Sequence, residues 1–398
     1  ATRHDGPRVH QSFHRREQSC RTGSFASKLP DGAAATGALA AFGLAGCAPQ
    51  AKAETSGDAT KADAAETKAD ASAEPDWLGS APDIAAGDIK ETKQTDLLII
   101  GAGNSGMAAA ATAADLGIDF MLCEKSGSIQ RSRHWFGAIN TKYTEAAGAH
   151  VDEGRLLNEF SRYASGQCDQ RVIRVWIKES ASVVDWIDPI LTQAGMTCAF
   201  DNDIDHETGG TSFELFPMEH YYSGNDAAGE KLERNKVLLS YINDKGHDVT
   251  YNHKLIKLVQ DDAGKVTGAI FEADGGYVQV NAAKGVLLTT GGYTSNAEML
   301  RACNPMVDRC VTLQYGSPNN VGEGIKAGIW AGAQKDSIGA PMIFDRGAVK
   351  PGENAGIISG PGEVATFAGH RQAVQPRLAA AYEGHPRRQA LRERVDPL

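Results

Sequence analysis

The sequence predicts an α/β fold in which a doubly wound parallel sheet has helices on both faces and an inserted antiparallel β-sheet. Two observations support this prediction. The apolar run at residues 96–100 stops at a glycine, as a buried parallel strand does, and an alanine-rich helix and a second short strand follow it. Later segments alternate between apolar and polar residues, as antiparallel strands do.

A glycine-rich loop, GAGNSG at residues 101–106, joins the first strand to the helix. Gly101 and Gly103 permit a tight turn and let the backbone approach a pyrophosphate, and Gly106 lets the helix pack closely on the strand. Glu124 comes 18 residues after Gly106, at the end of the second strand, where a carboxylate can bind ribose hydroxyls. Together these features predict a Rossmann-type dinucleotide site.

Periodicity and turn residues mark the other elements. The predicted strands are at residues 96–100, 119–123, 248–259, 266–272, 277–281 and 285–289, and the predicted helices are at 107–116, 155–164 and 171–194. Residues 263–265 form the turn between the first two antiparallel strands. Gly291 and Gly292 follow the last strand, a position that favours close approach of a cofactor over an ordinary turn.

Composition and charge exclude several classes of function. The 398-residue chain has a net charge of −10, whereas nucleic-acid-binding proteins show a basic face, so we expect no nucleic-acid partner. No apolar run reaches the roughly 18 residues that a membrane helix needs. The seven cysteines contain no CxxC pair, which argues against a zinc site, a disulfide framework and a redox-active pair. We therefore predict no metal site.

Residues 1–50 carry the parts of an export signal in the expected order. Arg15-Arg16 is a twin-arginine pair, and residues 44–47, Leu-Ala-Gly-Cys, resemble a lipoprotein cleavage box in which Cys47 would be lipidated. Residues 51–94 are a low-complexity run that predicts a disordered linker. We expect an exported protein that meets the membrane only through a lipid anchor at the cell envelope. The alternative is a cytoplasmic protein with a disordered N-terminal extension and a chance Arg-Arg pair.

The loop after the second strand decides which dinucleotide is predicted. Residues 123–126 lead into a second polar loop that contains a glycine, SRHWFGAIN at residues 132–140. NAD domains seldom have such a loop, whereas a longer cofactor such as FAD passes it on the way to the flavin site. FAD is therefore the predicted cofactor, and an NAD-dependent dehydrogenase is the weaker alternative.

Several motifs in order, from about Thr95 to Asp336, resemble the fumarate reductase/succinate dehydrogenase flavoprotein family, with its 3-ketosteroid dehydrogenase and urocanate reductase relatives. They are GAGNSG, Glu124-Lys125, GAIN at 137–140, DDAGKVTG at 261–268, KGVLLTTGG at 284–292, NAEM at 296–299, NVGEGI at 320–325 and AGA at 331–333. The resemblance implies an FAD-dependent oxidoreductase that transfers hydride from reduced flavin N5 to an activated C=C bond of a small acceptor, such as an unsaturated acid. Because the chain has no CxxCH haem motif, a separate protein would donate the electrons.

The resemblance also implies roles for single residues and assigns none to catalysis. The three glycines of loop 101–106 would hold the pyrophosphate, and Glu124, beside Lys125, would bind the adenosine ribose. Leu255 would pair its backbone with adenine, and Glu323 stands where the family usually has an aspartate, which is one methylene shorter. The residues that would line the ribityl and flavin side are Ser132, Arg133, Gly137, Ala138, Ile139 and Asn140. The residues that would close over the cofactor are Thr290, Gly291 and Gly292.

The last part of the chain departs from the family's pattern. We assign residues 95–340 to the FAD-binding domain, 341–363 to the start of a capping domain that is otherwise largely absent, and 364–398 to an aberrant tail. Residues 390–398, read from the second base of each codon, can encode the cap motif expected in the family, which suggests a shifted reading frame. The alternative function is therefore that of a catalytically incomplete flavin-binding fragment from a truncated or frame-shifted gene, and whether the chain is an enzyme stays open.

Overall fold

The computed structural model describes residues 76–202, 214–312, 317–336, 339, 349, 351–360 and 362–369. The predicted export signal, most of the predicted linker and the chain from residue 370 lie outside the described residues, so the expectations for them stay predictions. In chain order the elements are β1 (Ile89–Ile100), α1 (Asn104–Asp115), β2 (Phe120–Cys123), β3 (Trp135–Gly137), α2 (Lys142–Ala146), α3 (Glu153–Tyr163), α4 (Gln170–Gln193), β4 (Thr197–Asp201), β5 (Glu219–Ser223), α5 (Arg234–Asp244), β6 (Val249–Thr250), β7 (Lys254–Gln260), β8 (Val266–Ala273), β9 (Gly276–Leu288), α6 (Ala297–Cys303), α7 (Pro305–Cys310) and α8 (Glu323–Trp330).

The larger of two sheets has six strands in the order β6-β2-β1-β9-β8-β7. Strands β6, β2, β1 and β9 run parallel to one another, whereas β8 and β7 add an antiparallel edge beside β9. Strand β9 belongs to both parts, because its first half pairs with β8 and its whole length follows β1. The predicted α/β fold with a parallel sheet and an antiparallel part is confirmed.

Alternation along β1 separates the two faces of this sheet. Ile99 faces a buried cluster with α1, α4 and α5, whereas Leu98 and Ile100 face a second cluster that includes Phe271 of β8 and Ala327 of α8. The side chains of Leu98, Ile99, Ile100 and Phe271 are almost completely buried, and each contributes roughly 1.5–3 kcal/mol through the apolar surface it removes from water. Helices therefore cover both faces. In the part of the chain that the structure describes, no helix has the length and apolar character to cross a membrane.

Strand boundaries differ from the prediction in three places. Strand β1 begins at Ile89, inside the predicted linker, because this residue and the polar residues 90–94 belong to a strand that pairs with β9 without forming an apolar run. The predicted strand 248–259 is two strands, since Asn252 has a φ of 56° and turns the chain between β6 and β7. The predicted strands 277–281 and 285–289 are one continuous strand, β9.

The smaller sheet is antiparallel, in the order β3-β5-β4, and periodicity did not predict it. Its central strand carries His220, which is fully buried. Nε2 of His220 lies 2.9 Å from the hydroxyl oxygen of Thr141, within hydrogen-bond distance. Farther along, Ile357 and Phe367 form an antiparallel bridge and pack on α6 and α7. This bridge spans the boundary at residue 363 that we drew from the sequence.

Candidate functional site

A cavity of about 660 Å³ lies at the carboxyl ends of the parallel strands β1, β2 and β9. Ligands of open α/β sheets bind at this edge, and a volume of roughly 300–1,000 Å³ is usual for small-molecule and cofactor sites. The lining residues are Ile100, Gly101, Gly103, Asn104, Ser105, Cys123, Glu124, Lys125, Gln130, Arg131, His253, Leu255, Leu288, Thr289, Thr290, Gly291, Ser317, Asn319, Asn320 and Glu323.

At two of its three glycines, the loop is shaped by contacts that leave no room for a side chain. Gly101 has a φ of +106°, and a Cβ there would lie 2.6 Å from the carbonyl oxygen of Thr289. A Cβ on Gly106 would lie 1.8 Å from the carbonyl oxygen of Gly101. Gly103 differs, because a Cβ there would meet nothing within 4 Å. Gly103 therefore keeps space open beside the cavity, which suits close approach of a ligand.

Helix α1 presents its N-terminus to the cavity. The preceding residue, Gly103, provides no side-chain cap, so the first N–H groups of the helix keep their hydrogen-bonding capacity. Asn104 and Ser105 of this first turn line the cavity. The partial positive charge at a helix N-terminus favours an anion such as a phosphate.

Glu124 links the end of β2 to the glycine loop. One carboxylate oxygen accepts a hydrogen bond from the backbone N–H of Ala102 at 2.8 Å. The other accepts bonds from the backbone N–H and the hydroxyl of Ser126 at 3.0 and 2.7 Å. Because a carboxylate offers about four acceptor positions, the buried Glu124 retains capacity for a ligand hydroxyl.

Lys125 connects the loop after β2 to the start of α8. Its ammonium group lies 2.5 Å from a carboxylate oxygen of Glu323 and 2.5 Å from the carbonyl oxygen of Asn319. Both side chains of the ion pair are mostly buried, with 25% and 18% of their surface exposed. This ion pair thus joins the start of α8 to the loop after β2.

His253 precedes β7 and lies beside Glu124, whose carbonyl oxygen accepts a hydrogen bond from the His253 backbone N–H at 2.9 Å. The ring atom Nδ1 is 2.7 Å from the carbonyl oxygen of Tyr251, and Nε2 is buried without a hydrogen-bond partner. Two residues farther on, the buried Leu255 lines the same cavity.

The structure brings together half of the residues predicted to bind the cofactor. Those that line the cavity are Gly101, Gly103, Glu124, Lys125, Leu255, Thr290, Gly291 and Glu323. Gly106 lies behind the loop, and Gly292 follows the lining residue Gly291 without lining the cavity itself. Their roles toward the cofactor stay predictions.

Residues 132–140 lie away from the cavity lining. The backbone N–H of Ser132 donates to Glu233 at 2.5 Å, and the carbonyl oxygen of Arg133 accepts from Arg234 at 2.9 Å, so the start of α5 holds this loop. The predicted residues Gly137, Ala138, Ile139 and Asn140 form the end of β3 and the turn that follows.

This second part of the loop packs on the smaller sheet and its helices. The N–H of Ala138 donates to the carbonyl oxygen of Met218 at 3.0 Å, and the Asn140 side chain exchanges two hydrogen bonds with the backbone of Val151. Buried Ala138 and Ile139 anchor the turn. Their predicted place on the flavin side stays a prediction.

The remaining lining residues were missed from the sequence. Several of them stand inside motifs that the sequence analysis quoted, and others stand at or next to the carboxyl ends of predicted strands, but none was singled out as a site residue. They are Ile100, Asn104, Ser105, Cys123, Gln130, Arg131, His253, Leu288, Thr289, Ser317, Asn319 and Asn320.

Metal and thiol chemistry find no support in the described part of the chain. No group of three or more potential metal-binding side chains occurs among these residues. The cysteines that the structure describes are all free thiols. Cys123 lines the cavity, but burial raises the pKa of its thiol to about 12, so the reactive thiolate is scarce at neutral pH.

These features fit FAD through its adenosine diphosphate half. The open space at Gly103 and the uncapped start of α1 suit a pyrophosphate, and Glu124 suits a ribose.

Comparisons with known proteins agree with this geometry. A family profile described as an FAD binding domain matches residues 96–359. The chain is 25% identical over 253 residues to a vinyl phenol reductase of Lactiplantibacillus plantarum, covering 63% of this chain and 48% of that protein. It is 26% identical over 263 residues to a probable fumarate reductase of Shewanella frigidimarina, covering 64% of this chain and 41% of that protein. The chain thus spans less than half the length of these two relatives.

The fold is also similar to that of a solved flavocytochrome c3 fumarate reductase in an open conformation. The TM-score is 0.50 at 23% identity, and the match covers 63% of this chain and 42% of that one. The profile match, the relatives and the shared fold lead to one assignment. The chain belongs to the FAD binding domain family, in the fumarate reductase/succinate dehydrogenase group of flavoproteins, and its cofactor is FAD.

Proposed function

We propose that the protein is an FAD-dependent oxidoreductase that reduces an activated C=C bond of a small acceptor such as an unsaturated acid. The observation that carries this proposal is the cavity at the glycine loop, which has the features of an FAD site in a chain similar to named reductases. Fumarate and vinyl phenol, the compounds in those names, both contain a C=C bond conjugated to an electron-withdrawing or aromatic group. When bound and reduced, FAD supplies the hydride for such a reduction.

In this proposal the described residues bind and orient the cofactor. The first turn of α1 and loop 101–106 hold the pyrophosphate, and Arg131 adds a positive charge to the cavity wall. Glu124 holds the adenosine ribose, and the Lys125–Glu323 pair fixes α8 against the loop after β2. Ser132, Arg133, residues 137–140 and residues 290–292 are the proposed flavin side.

Electron supply and location are part of the same proposal. The cysteines of the chain include no CxxCH haem motif, so a separate protein is the proposed electron donor. The Arg15-Arg16 pair and the box ending at Cys47 support export and lipid anchoring at the cell envelope.

A second candidate is a protein that binds FAD without turnover. It is favoured by the described cavity residues, none of which has an assigned proton-transfer role. The two candidates predict the same cofactor and differ only in turnover.

The two candidates can be distinguished by expressing the whole chain and titrating its reduced flavin with acceptors under anaerobic conditions. We expect the purified protein to show the visible absorption bands of flavin and, after reduction with dithionite, to be reoxidised by fumarate, another unsaturated acid or 4-vinylphenol but not by succinate. Flavin bands that stay bleached with every unsaturated acceptor would establish the binding-only candidate. A protein that neither retains nor rebinds flavin would overturn both.

A further inference from the structure

Arg131 is an exposed residue of the cavity lining whose positive charge is available to a ligand. In the part of the chain that the structure describes, its side chain forms no hydrogen bond, ion pair or ring contact with another residue. The other lysine or arginine of the lining is Lys125, whose ammonium group is already bound by Glu323 and by the carbonyl oxygen of Asn319. An anion that enters the cavity therefore meets one unpaired basic side chain among the lining residues, that of Arg131.

The backbone on both sides of Arg131 is held by the start of α5. The side-chain amide of Asn235, which is only 1% exposed, donates to the carbonyl oxygen of Gln130 at 2.8 Å. The carboxylate of Glu233 accepts from the backbone N–H of Ser132 at 2.5 Å. The residues before and after Arg131 are thus fixed, although its own side chain is free.

These contacts place Arg131 beside the predicted pyrophosphate site. The backbone N–H of Gln130 donates to the carbonyl oxygen of Ala102 in the glycine loop at 3.1 Å. The amide of Asn235 also donates to the side-chain oxygen of Asn104, the first residue of α1, at 3.1 Å. Since consecutive Cα atoms are about 3.8 Å apart, Arg131 follows directly on a residue that contacts the glycine loop.

Charge selects the part of FAD that Arg131 can bind. Near neutral pH the ionised groups of oxidised FAD are the phosphates of its pyrophosphate. The N-terminus of α1 provides only a partial positive charge, equivalent to roughly half an elementary charge. A guanidinium group adds a full charge and can donate two parallel hydrogen bonds to phosphate oxygens.

We propose that Arg131, with its backbone held by the start of α5, binds the pyrophosphate of FAD and supplies the full positive charge that the glycine loop lacks. The inference rests on FAD binding and is independent of the proposed reduction.

The test measures the dissociation constant of FAD by flavin fluorescence on the deflavinated whole chain, at low and at high salt. We expect Arg131→Met to weaken FAD binding about tenfold at low salt, the effect of one lost charge-assisted hydrogen bond. The difference from the wild-type protein should shrink at high salt, because salt screens the attraction between exposed charges. Arg131→Lys keeps the charge without the planar fork, so its affinity should lie between the two.

Urea unfolding of the flavin-free proteins separates binding from folding. Because the Arg131 side chain has no partner in the described residues, we expect Arg131→Met to have the stability of the wild-type protein. Lys236→Met, at an exposed lysine of α5 outside the cavity lining, removes the same charge and should keep wild-type FAD affinity.

Equal FAD affinity of Arg131→Met and the wild-type protein at low salt would overturn the inference and leave the FAD assignment standing. A loss of the same size at low and high salt would also overturn it, because contact with a ring of FAD would then explain the loss. The same holds if Lys236→Met weakens binding equally or if Arg131→Met is less stable than the wild-type protein. Failure of the wild-type protein to bind FAD would remove the cofactor assignment as well.

Discussion

The carboxylate of Glu124, buried at the end of β2, accepts a hydrogen bond at 2.8 Å from the backbone N–H of Ala102 in the middle of the glycine loop. The residue predicted to bind ribose therefore also shapes the loop predicted to bind the pyrophosphate. The two carboxylate oxygens accept from different partners, Ala102 on one side and Ser126 on the other, and together they keep one acceptor position for a ligand.

Glu124→Gln tests this double role. The amide has one oxygen, so either Ala102 or Ser126 loses its acceptor, and we expect a loss of about 1–3 kcal/mol in the free energy of unfolding of the protein without flavin. FAD affinity should fall in addition. Urea unfolding and fluorescence titration measure the two effects. Glu272→Gln removes an exposed carboxylate of the same sheet and should change neither quantity by more than about 0.5 kcal/mol. Unchanged stability in Glu124→Gln would contradict the role in the loop.

The glycines of the loop allow a separation of folding from binding. In Gly106→Ala the new methyl group would meet the carbonyl oxygen of Gly101 at 1.8 Å, so we expect the flavin-free protein to lose about 1–3 kcal/mol of stability or more. In Gly103→Ala the methyl group meets nothing in the protein but occupies space beside the cavity. That variant should lose less than about 1 kcal/mol of stability while its FAD affinity falls at least about tenfold.

Thermal unfolding of the flavin-free variants and titration with FAD provide both measurements. Normal FAD affinity in Gly103→Ala would show that the pyrophosphate does not approach this position. If Gly106→Ala has the same stability as the wild-type protein, the backbone at the contact between α1 and the loop must move to accept the methyl group without a loss of free energy.

The parts of the site that were predictable from the sequence are those whose residues lie close together in the chain. Loop 101–106 combines a strand, three glycines and a helix within a few residues, and Glu124 follows at a fixed distance, so chain order alone brings them together. The helices α3 and α4 were predicted to within two residues at each end because apolar positions recur at helical spacing over a long segment.

The rest depends on contacts between distant segments. The backbone carbonyl oxygen of Asn319 accepts a hydrogen bond from Lys125, which stands 194 positions earlier, and nothing in the residues around Asn319 indicates this contact. His253 stands in a segment read as a strand, where a lone histidine has no periodic signal. The strand residues 90–94 are polar and belong to β1 because this strand pairs with β9, so hydrophobic patterning does not detect them.

The ion pair between Lys125 and Glu323 should contribute measurably to stability. A double-mutant cycle of Lys125→Met and Glu323→Gln is expected to give a coupling energy of about 1–2 kcal/mol, because the pair is only 25% and 18% exposed. The exposed pair Lys254–Glu272, cycled through the same substitutions, should give less than about 0.5 kcal/mol. Chemical unfolding of the flavin-free proteins measures both. Equal coupling energies for the two pairs would show that the buried Lys125–Glu323 pair stabilises the protein no more than the exposed Lys254–Glu272 pair does.

A second polar cluster lies around Asp188 of α4, away from the cavity lining. Its carboxylate accepts hydrogen bonds from the ammonium group of Lys142 at 2.6 Å, from the hydroxyl of Tyr222 at 2.8 Å and from the hydroxyl of Tyr143. Burial opposes the charged form of Asp188, but these three donors outweigh burial and hold the pKa of the carboxyl below its ordinary value. This cluster joins α2, α4 and β5.

Asp188→Asn should therefore lower stability in a pH-dependent way. A depressed pKa in the folded state means that the ionised carboxylate stabilises the fold fully above its unfolded-state pKa and loses this effect as the pH falls through the folded-state pKa. We expect the variant to be about 2 kcal/mol less stable near neutral pH, with the difference from wild type shrinking below about pH 4. Urea unfolding between about pH 7 and pH 3 measures it, and the exposed Asp185→Asn is the control. A difference that stays constant or widens toward acid would contradict the assignment.

Thiol reactivity provides a test of burial at the cavity itself. Burial raises the pKa of Cys123 to about 12, so only about one thiol in ten thousand is ionised near pH 8, whereas Cys310 is exposed. We expect iodoacetamide to modify Cys310 in the native protein within minutes and to leave Cys123 unmodified for hours, and both should react in urea. Peptide mass spectrometry follows the two sites in one sample. Rapid modification of Cys123 in the native protein would mean that this cavity wall is open and that the thiol is reactive. Cys123 would then be a candidate for a role in the reaction.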